Sequence, residues 1–206
     1  MEKPDATVVD FTAGNRSIYE IKEHLHILYL DKEPDLAIKP DILCDTRETQ
    51  LNENSKYFGV FDPPHDWGRK KNSSIFSTPS LDVANKKWPK YYRKTPPRYY
   101  GPDKYKSKKE LLNYIYETQK EIARILIPGG ILFFKWGERR IPLSEILEYF
   151  TLWDVMLKIP VKENAGKHSN PTWWVMMIRK DGPWPQKELL DFFKSSFKQT
   201  KRTDVE

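Results

Sequence analysis

Four aspartates stand at or near the ends of short apolar runs. Ala6 to Phe11 carries Asp10 and runs into the small and polar Thr12-Ala13-Gly14-Asn15; His26 to Leu30 is closed by Asp31, Asp41 to Cys44 by Asp45, and Tyr57 to Phe61 by Asp62. Runs of this length between turn residues read as buried strands, and the C-terminal edge of an open parallel sheet is where ligands bind. The last acid opens a more specific pattern, Asp62-Pro63-Pro64-His65. Two prolines fix the backbone and remove its N–H donors, so a carboxylate, a rigid carbonyl and an imidazole follow one another; the bland alternative is a Pro-Pro turn after a strand. Strand-end acids occur in many nucleotide-binding proteins, so alone they imply a cofactor cleft and no particular reaction.

The elements needed to position these residues follow from periodicity. Ser107 to Leu126 places Leu112, Ile115, Gln119, Ile122 and Leu126 at helical spacing, which predicts an amphipathic helix packed on the sheet and stopped by Pro128-Gly129-Gly130. Ile131 to Trp136 is a fifth strand, Pro142 to Phe150 a short helix opened by Ser144 and Glu145, and Trp153 to Ile159 and Thr172 to Arg179 are strands six and seven, able to pair antiparallel across the Lys162 to Pro171 loop. Gln186 to Gln199 predicts a terminal helix. The expectation is one α/β domain over residues 1–206: a doubly wound, seven-stranded, mostly parallel sheet with an antiparallel last strand and a long insertion, 66–106, after strand four.

Val8-Val9-Asp10-Phe11-Thr12-Ala13-Gly14-Asn15, Leu30-Asp31, Cys44-Asp45, Asp62-Pro63-Pro64-His65 and Pro128-Gly129-Gly130 occur in an order that resembles the motifs of class I methyltransferases. More narrowly, the chain resembles the amino-methyltransferases of adenine N6 and cytosine N4, including small phage and prokaryotic methylase-like proteins with Asp-Pro-Pro-His and a later Lys-Trp-x-Glu, here Lys135-Trp136-Gly137-Glu138. The resemblance covers about Val8 to Arg179. It implies S-adenosylmethionine as cofactor, with Asp10 near the methionine ammonium, the turn from Phe11 through Thr12, Ala13 and Gly14 to Asn15 approaching the methionine part, Asp31 accepting from the ribose hydroxyls and Asp45 from the adenine amino group. It further implies that Asp62 and the Pro63 carbonyl, made rigid by Pro64, accept the hydrogens of a target amine; no metal is required. His65 departs from the aromatic residue more often found there to stack on an extruded base. It leaves room for another planar amine or amide, with Trp67 as a substitute stacking face. Lys135, with Glu138, either contacts substrate or forms a surface pair, and His168 either touches substrate or is solvated.

The formal charge of +6 is unevenly placed: thirteen Lys and Arg stand against three Asp between His65 and Lys109, so the rest of the chain is net negative. Aromatics lie among these cations, most densely in Trp88-Pro89-Lys90-Tyr91-Tyr92-Arg93-Lys94. Cations that follow phosphates and rings that stack on unpaired bases make a single-strand groove; the alternative is a basic lid whose aromatics pack on the domain. RNA or single-stranded DNA is therefore the expected partner, in preference to duplex, since nothing resembles a groove-reading helix or zinc finger. Guanine N2, a protein amide or a small molecule are alternative acceptors, and a non-catalytic nucleic-acid-binding subunit is the alternative of another class. No apolar run approaches the roughly 20 residues of a membrane span, the first residues lack the layout of a secretory signal, and Cys44 has no second thiol with which to form a disulfide or a Cys-based zinc site. A cytoplasmic protein is expected.

Overall fold

A computed structural model of the chain describes residues 3, 5–67, 105–161 and 171–182. Trp88, Tyr91, Tyr92 and Arg93 of the insertion, His168, and the expected helix 186–199 lie outside the described residues. The described residues form one seven-stranded sheet from β1 (Val8–Asp10), β2 (Ile27–Asp31), β3 (Ile42–Leu43), β4 (Lys56–Phe61), β5 (Leu126–Gly137), β6 (Trp153–Val161) and β7 (Thr172–Arg179), with two helices, α1 (Lys108–Ile125) and α2 (Leu143–Leu147). The strand order is β3-β2-β1-β4-β5-β7-β6. Strands β1 to β5 pair parallel, and β7 lies antiparallel between β5 and β6. This is the mostly parallel α/β sheet with an antiparallel last strand that the apolar runs imply. No helix among the described residues is long and apolar enough to cross a membrane.

The core follows from two periodicities meeting. On β5, Leu132, Phe134 and Trp136 alternate onto one buried face, and α1 supplies Leu111, Leu112, Ile115, Ile122 and Ile125 to the same cluster. Phe134 is its centre, with Phe150 at 4.6 Å and Phe61 and Trp136 each at 5.9 Å between ring centroids. Ser107 caps α1 by accepting the Glu110 N–H at 3.2 Å.

Four details differ from the sequence expectation. The helix ends at Ile125, where Leu126 turns extended and pairs with Lys56, and Pro128-Gly129-Gly130 lies inside β5. Between the pairs Lys56–Leu126 and Phe58–Ile131, β5 carries more residues than β4; Gly129 absorbs the excess with φ 76. The short helix starts at Leu143, without a side-chain cap from its N-cap residue Pro142; Ser144 and Glu145 therefore lie inside it. Strand β3 is not buried: as an edge strand it leaves Leu43 exposed and Cys44, just past its end, half-buried.

Finally, the crossovers from β1 to β2, β2 to β3 and β3 to β4 hold turns and bends and no helix. Arg16 organises the first two. Its side chain is buried, its guanidinium lies 3.8 Å from the Tyr29 ring centroid, and it donates to the carbonyls of Lys22 at 2.7 Å and Lys39 at 2.9 Å.

Candidate active site

The chain starts at β1, winds outward to β3 and returns to β4 on the other side of β1, so the strand order reverses between β1 and β4. Such a switch point leaves a crevice at the strand ends. Here it is a narrow cleft, bounded by Phe11 and Thr12 after β1, Asp31, Lys32 and Glu33 around the end of β2, Thr46 after β3, Asp62 and Pro64 after β4, and Leu36, Tyr105 and Tyr114.

Sheet register places Asp62 at the centre of a network. Phe61 pairs with Phe134, so the next residues, Asp62 and Lys135, are neighbours at the end of β4 and β5. Lys135 Nζ donates to Asp62 Oδ2 at 3.2 Å, and the Asp62 N–H donates to Thr12 Oγ1 at 2.8 Å. His65 Nε2 lies 3.1 Å from Asp62 Oδ1, while its Nδ1 accepts the Gly137 N–H at 3.2 Å. A backbone amide can only donate, so the proton of the neutral ring sits on Nε2 and is given to Asp62. The imidazole also packs on the buried Trp136, with centroids 5.0 Å apart and planes at 56°, and it does not line the cleft.

Asp31 is buried and fixed by two amides: Oδ2 accepts from Gly14 at 2.8 Å and Oδ1 from Glu33 at 2.9 Å. Gly14 presents its N–H from a left-handed backbone, φ 50, which glycine adopts without a steric cost. Each oxygen of Asp31 retains a further lone pair, and the residue lines the cleft. Asp10 lies behind it, fully buried, accepting from the Thr12 N–H at 3.0 Å and the Tyr19 hydroxyl at 2.9 Å. Burial, with lesser contributions from nearby Asp62 and Asp31, pushes the Asp10 carboxyl up to about 7.

Other residues singled out from sequence take supporting positions. Ala13 is buried and donates its N–H to the Leu30 carbonyl. Asn15 Oδ1 accepts from the Ala37 and Ile38 amides, tying down the crossover after β2. Asp45 is held by Arg47 through both oxygens, at 2.9 and 2.7 Å, and this pairing draws its carboxyl down to about 2. The neighbouring Thr46 lines the cleft instead, its hydroxyl 2.8 Å from that of Tyr114. Trp67 packs partly on the core with the Arg140 guanidinium 4.2 Å above its ring, so one stacking face is covered. Glu138 turns away from Lys135 and accepts the Leu143 N–H at 2.9 Å, supplying the cap that α2 lacks locally.

Tyr105, one of the aromatics of the 66–106 insertion, lines the cleft, and so do Tyr114, Thr46, Lys32, Glu33 and Leu36, which the sequence reading missed. A signal existed for Tyr114: Leu111, Tyr114, Thr118 and Ile125 keep helical spacing on the flank of the apolar stripe, and all are buried. Thr46 carried no signal beyond its place next to Asp45.

No protein-family model matches the chain, and no curated protein matches it. Among solved structures it is similar to the N-methyltransferase NodS from Bradyrhizobium japonicum WM9, at 10% identity over 84% of this chain and 84% of that one, with a TM-score of 0.49. It is also similar to an rRNA methylase from Streptococcus thermophilus, at 16% identity over 85% of this chain and 88% of that one, TM-score 0.43. A SAM-dependent methyltransferase from Methanosarcina mazei matches at 10% identity over 85% and 92%, TM-score 0.47.

Proposed function

We propose that the chain is an S-adenosylmethionine-dependent methyltransferase whose acceptor is an exocyclic amino group, adenine N6 or cytosine N4, in RNA or single-stranded DNA. The observation that carries this reading is Asp62: a carboxylate at the switch point of the sheet, held through both oxygens and followed by Pro63-Pro64.

The cleft suits the cofactor by its chemistry. Asp31 is an acceptor for ribose hydroxyls, Phe11 and Leu36 offer apolar walls to a purine, and Thr46 takes the place beside it that the sequence assigned to Asp45. Asp31 and Asp62 line the cleft, so it presents carboxylates to a cationic ligand. When bound, S-adenosylmethionine supplies a methyl carbon carried on a sulfonium.

The residues of the chain do the rest. An exocyclic amine conjugated with its ring is a weak nucleophile, so orientation supplies much of the acceleration. Asp62 accepts one amine hydrogen and the Pro63 carbonyl the other, which turns the nitrogen lone pair out of conjugation. Lys135 balances the Asp62 charge at 3.2 Å. Once the nitrogen is alkylated it must shed a proton, and Asp62 is placed to receive it.

The test is transfer of labelled methyl to separate pools of total RNA, single-stranded DNA and duplex DNA, with nucleosides analysed afterwards. Label is expected in N6-methyladenine or N4-methylcytosine, from single strands in preference to duplex. Asp62→Ala should abolish transfer with cofactor affinity little changed, whereas Asp31→Ala should weaken cofactor binding. Full activity in Asp62→Ala overturns the mechanism. A second acceptor class, another planar amine or amide, is favoured by the withdrawn position of His65 against Trp136; cofactor binding without label in any pool would point there.

A further inference from the structure

Within the methyl-transfer reading, we infer that His65 is a positioning residue that sets the orientation of the Asp62 carboxylate, and that it is not a stacking face for the acceptor. It follows Asp62 by three residues, and Pro63-Pro64 between them limits the backbone. The ring is engaged at both nitrogens: Nδ1 accepts from Gly137 at the end of β5, and Nε2–H donates to Asp62 Oδ1. Trp136, fully buried, lies against the ring.

Gly137 is what lets the imidazole come this close. A Cβ on residue 137 would stand 2.9 Å from His65 Nδ1, nearer than real Cβ contacts come, so any larger residue displaces the ring. The Gly137 amide also selects the tautomer, because a ring with its proton on Nδ1 would confront one donor with another.

The consequence falls on Asp62. The terminal torsion of an aspartate is broad, yet here Oδ1 is pinned by His65 from β4's own turn and Oδ2 by Lys135 from β5. The remaining lone pairs are thereby fixed toward the cleft that Asp62 lines. A carboxylate that must align an amine works only if its own plane is set beforehand. His65 therefore contributes a donor where an aromatic residue would contribute area, and tolerance at this position follows hydrogen-bonding capacity.

Two variants separate the roles. His65→Gln keeps a side-chain N–H donor and loses the ring; His65→Phe keeps the ring and loses the donor. We expect His65→Phe to lower kcat by about 100-fold, the scale of a small misplacement of a catalytic group, with acceptor KM little changed, and His65→Gln to retain more activity than His65→Phe. A fully active His65→Phe beside a weak His65→Gln would overturn the inference in favour of stacking. A second measurement does not need turnover: 15N NMR of the histidine rings in the full chain should show His65 protonated at Nε2 and bare at Nδ1, and Gly137→Ala should disturb that pattern. A ring protonated at Nδ1, or unaffected by Gly137→Ala, refutes the positioning geometry even if methyl transfer is found. Conversely, the expected NMR pattern in a chain that labels no acceptor would leave the His65–Asp62 geometry standing and count against the methyl-transfer reading alone.

Discussion

Asp10 accepts two hydrogen bonds and is still held near 7, because full burial disfavours its charge more than the Thr12 amide and Tyr19 hydroxyl favour it. The ordinary carboxyl value is 3.8. Below that pH the group is protonated in both folded and unfolded chains and contributes no pH dependence. Between about 4 and about 7 the folded chain keeps a proton that the unfolded chain has released, so stability falls as pH rises, by up to about 1.4 kcal/mol per unit, and the full cost is present above 7. Asp10→Asn, which keeps an acceptor for Thr12 and can donate to Tyr19, should remove this slope and leave the variant relatively more stable at pH 8 than at pH 4. Urea unfolding of both proteins across that range checks it; identical slopes would place the charge of Asp10 in water. At this scale, Asp31 and Asp62 were legible because a strand-end acid is a one-dimensional pattern. The hold on Asp62 was not: Gly137 reaches His65, and Lys135 reaches Asp62, only through the β4–β5 register, which no local spacing encodes. Asp45 follows β3 as its spacing suggested, and there its carboxylate is held by Arg47, two residues away.

The elements show the same division. Strand β1 and the apolar stripe of α1 were plain from apolar spacing, whereas the end of α1 was misplaced because Pro and Gly punctuate a bulge within β5 as readily as they stop a helix. The turns that replace helices between β1 and β3 are held by a buried Arg16 whose partners, Lys22, Lys39 and Tyr29, come from separate segments. Glu138 is the clearest case of a residue whose pattern suggested chemistry and whose geometry gives architecture. Its carboxylate serves the first amide of α2, where Pro142 offers no side-chain cap. Glu138→Ala should destabilise the protein by about 1 kcal/mol, the usual worth of a helix N-terminal acceptor, while cofactor affinity stays unchanged. A denaturant midpoint that does not move, or a selective loss of acceptor binding, would restore Glu138 to the substrate.

For the whole molecule, the sheet order puts the cleft where β1 and β4 part, and every residue of the Asp62 network reaches it from β1, β4, β5 or the turn that follows one of them. The number of strands and their directions could be read from runs and loops, but the order β5-β7-β6 is a fact of pairing that emerges only in three dimensions. Charge distribution adds a property that no single site displays. Thirteen Lys and Arg against three Asp stand between His65 and Lys109, the stretch of sequence from just after Asp62 into the first turn of α1, and under the proposed function these are the cations that meet the acceptor's phosphates. Each phosphate so neutralised in a single strand lowers the observed affinity with a slope of about 0.7 in log salt. If about five phosphates are engaged, raising monovalent salt from about 50 to about 200 mM should weaken acceptor binding by about 100-fold. Cofactor binding in the same buffers should change far less if, as proposed, Asp31 holds it through hydrogen bonds in the cleft. Acceptor KM against salt, with cofactor affinity measured in parallel, separates the two; a flat acceptor profile would mean that the basic segment does not meet phosphates and that the acceptor is a small or neutral molecule.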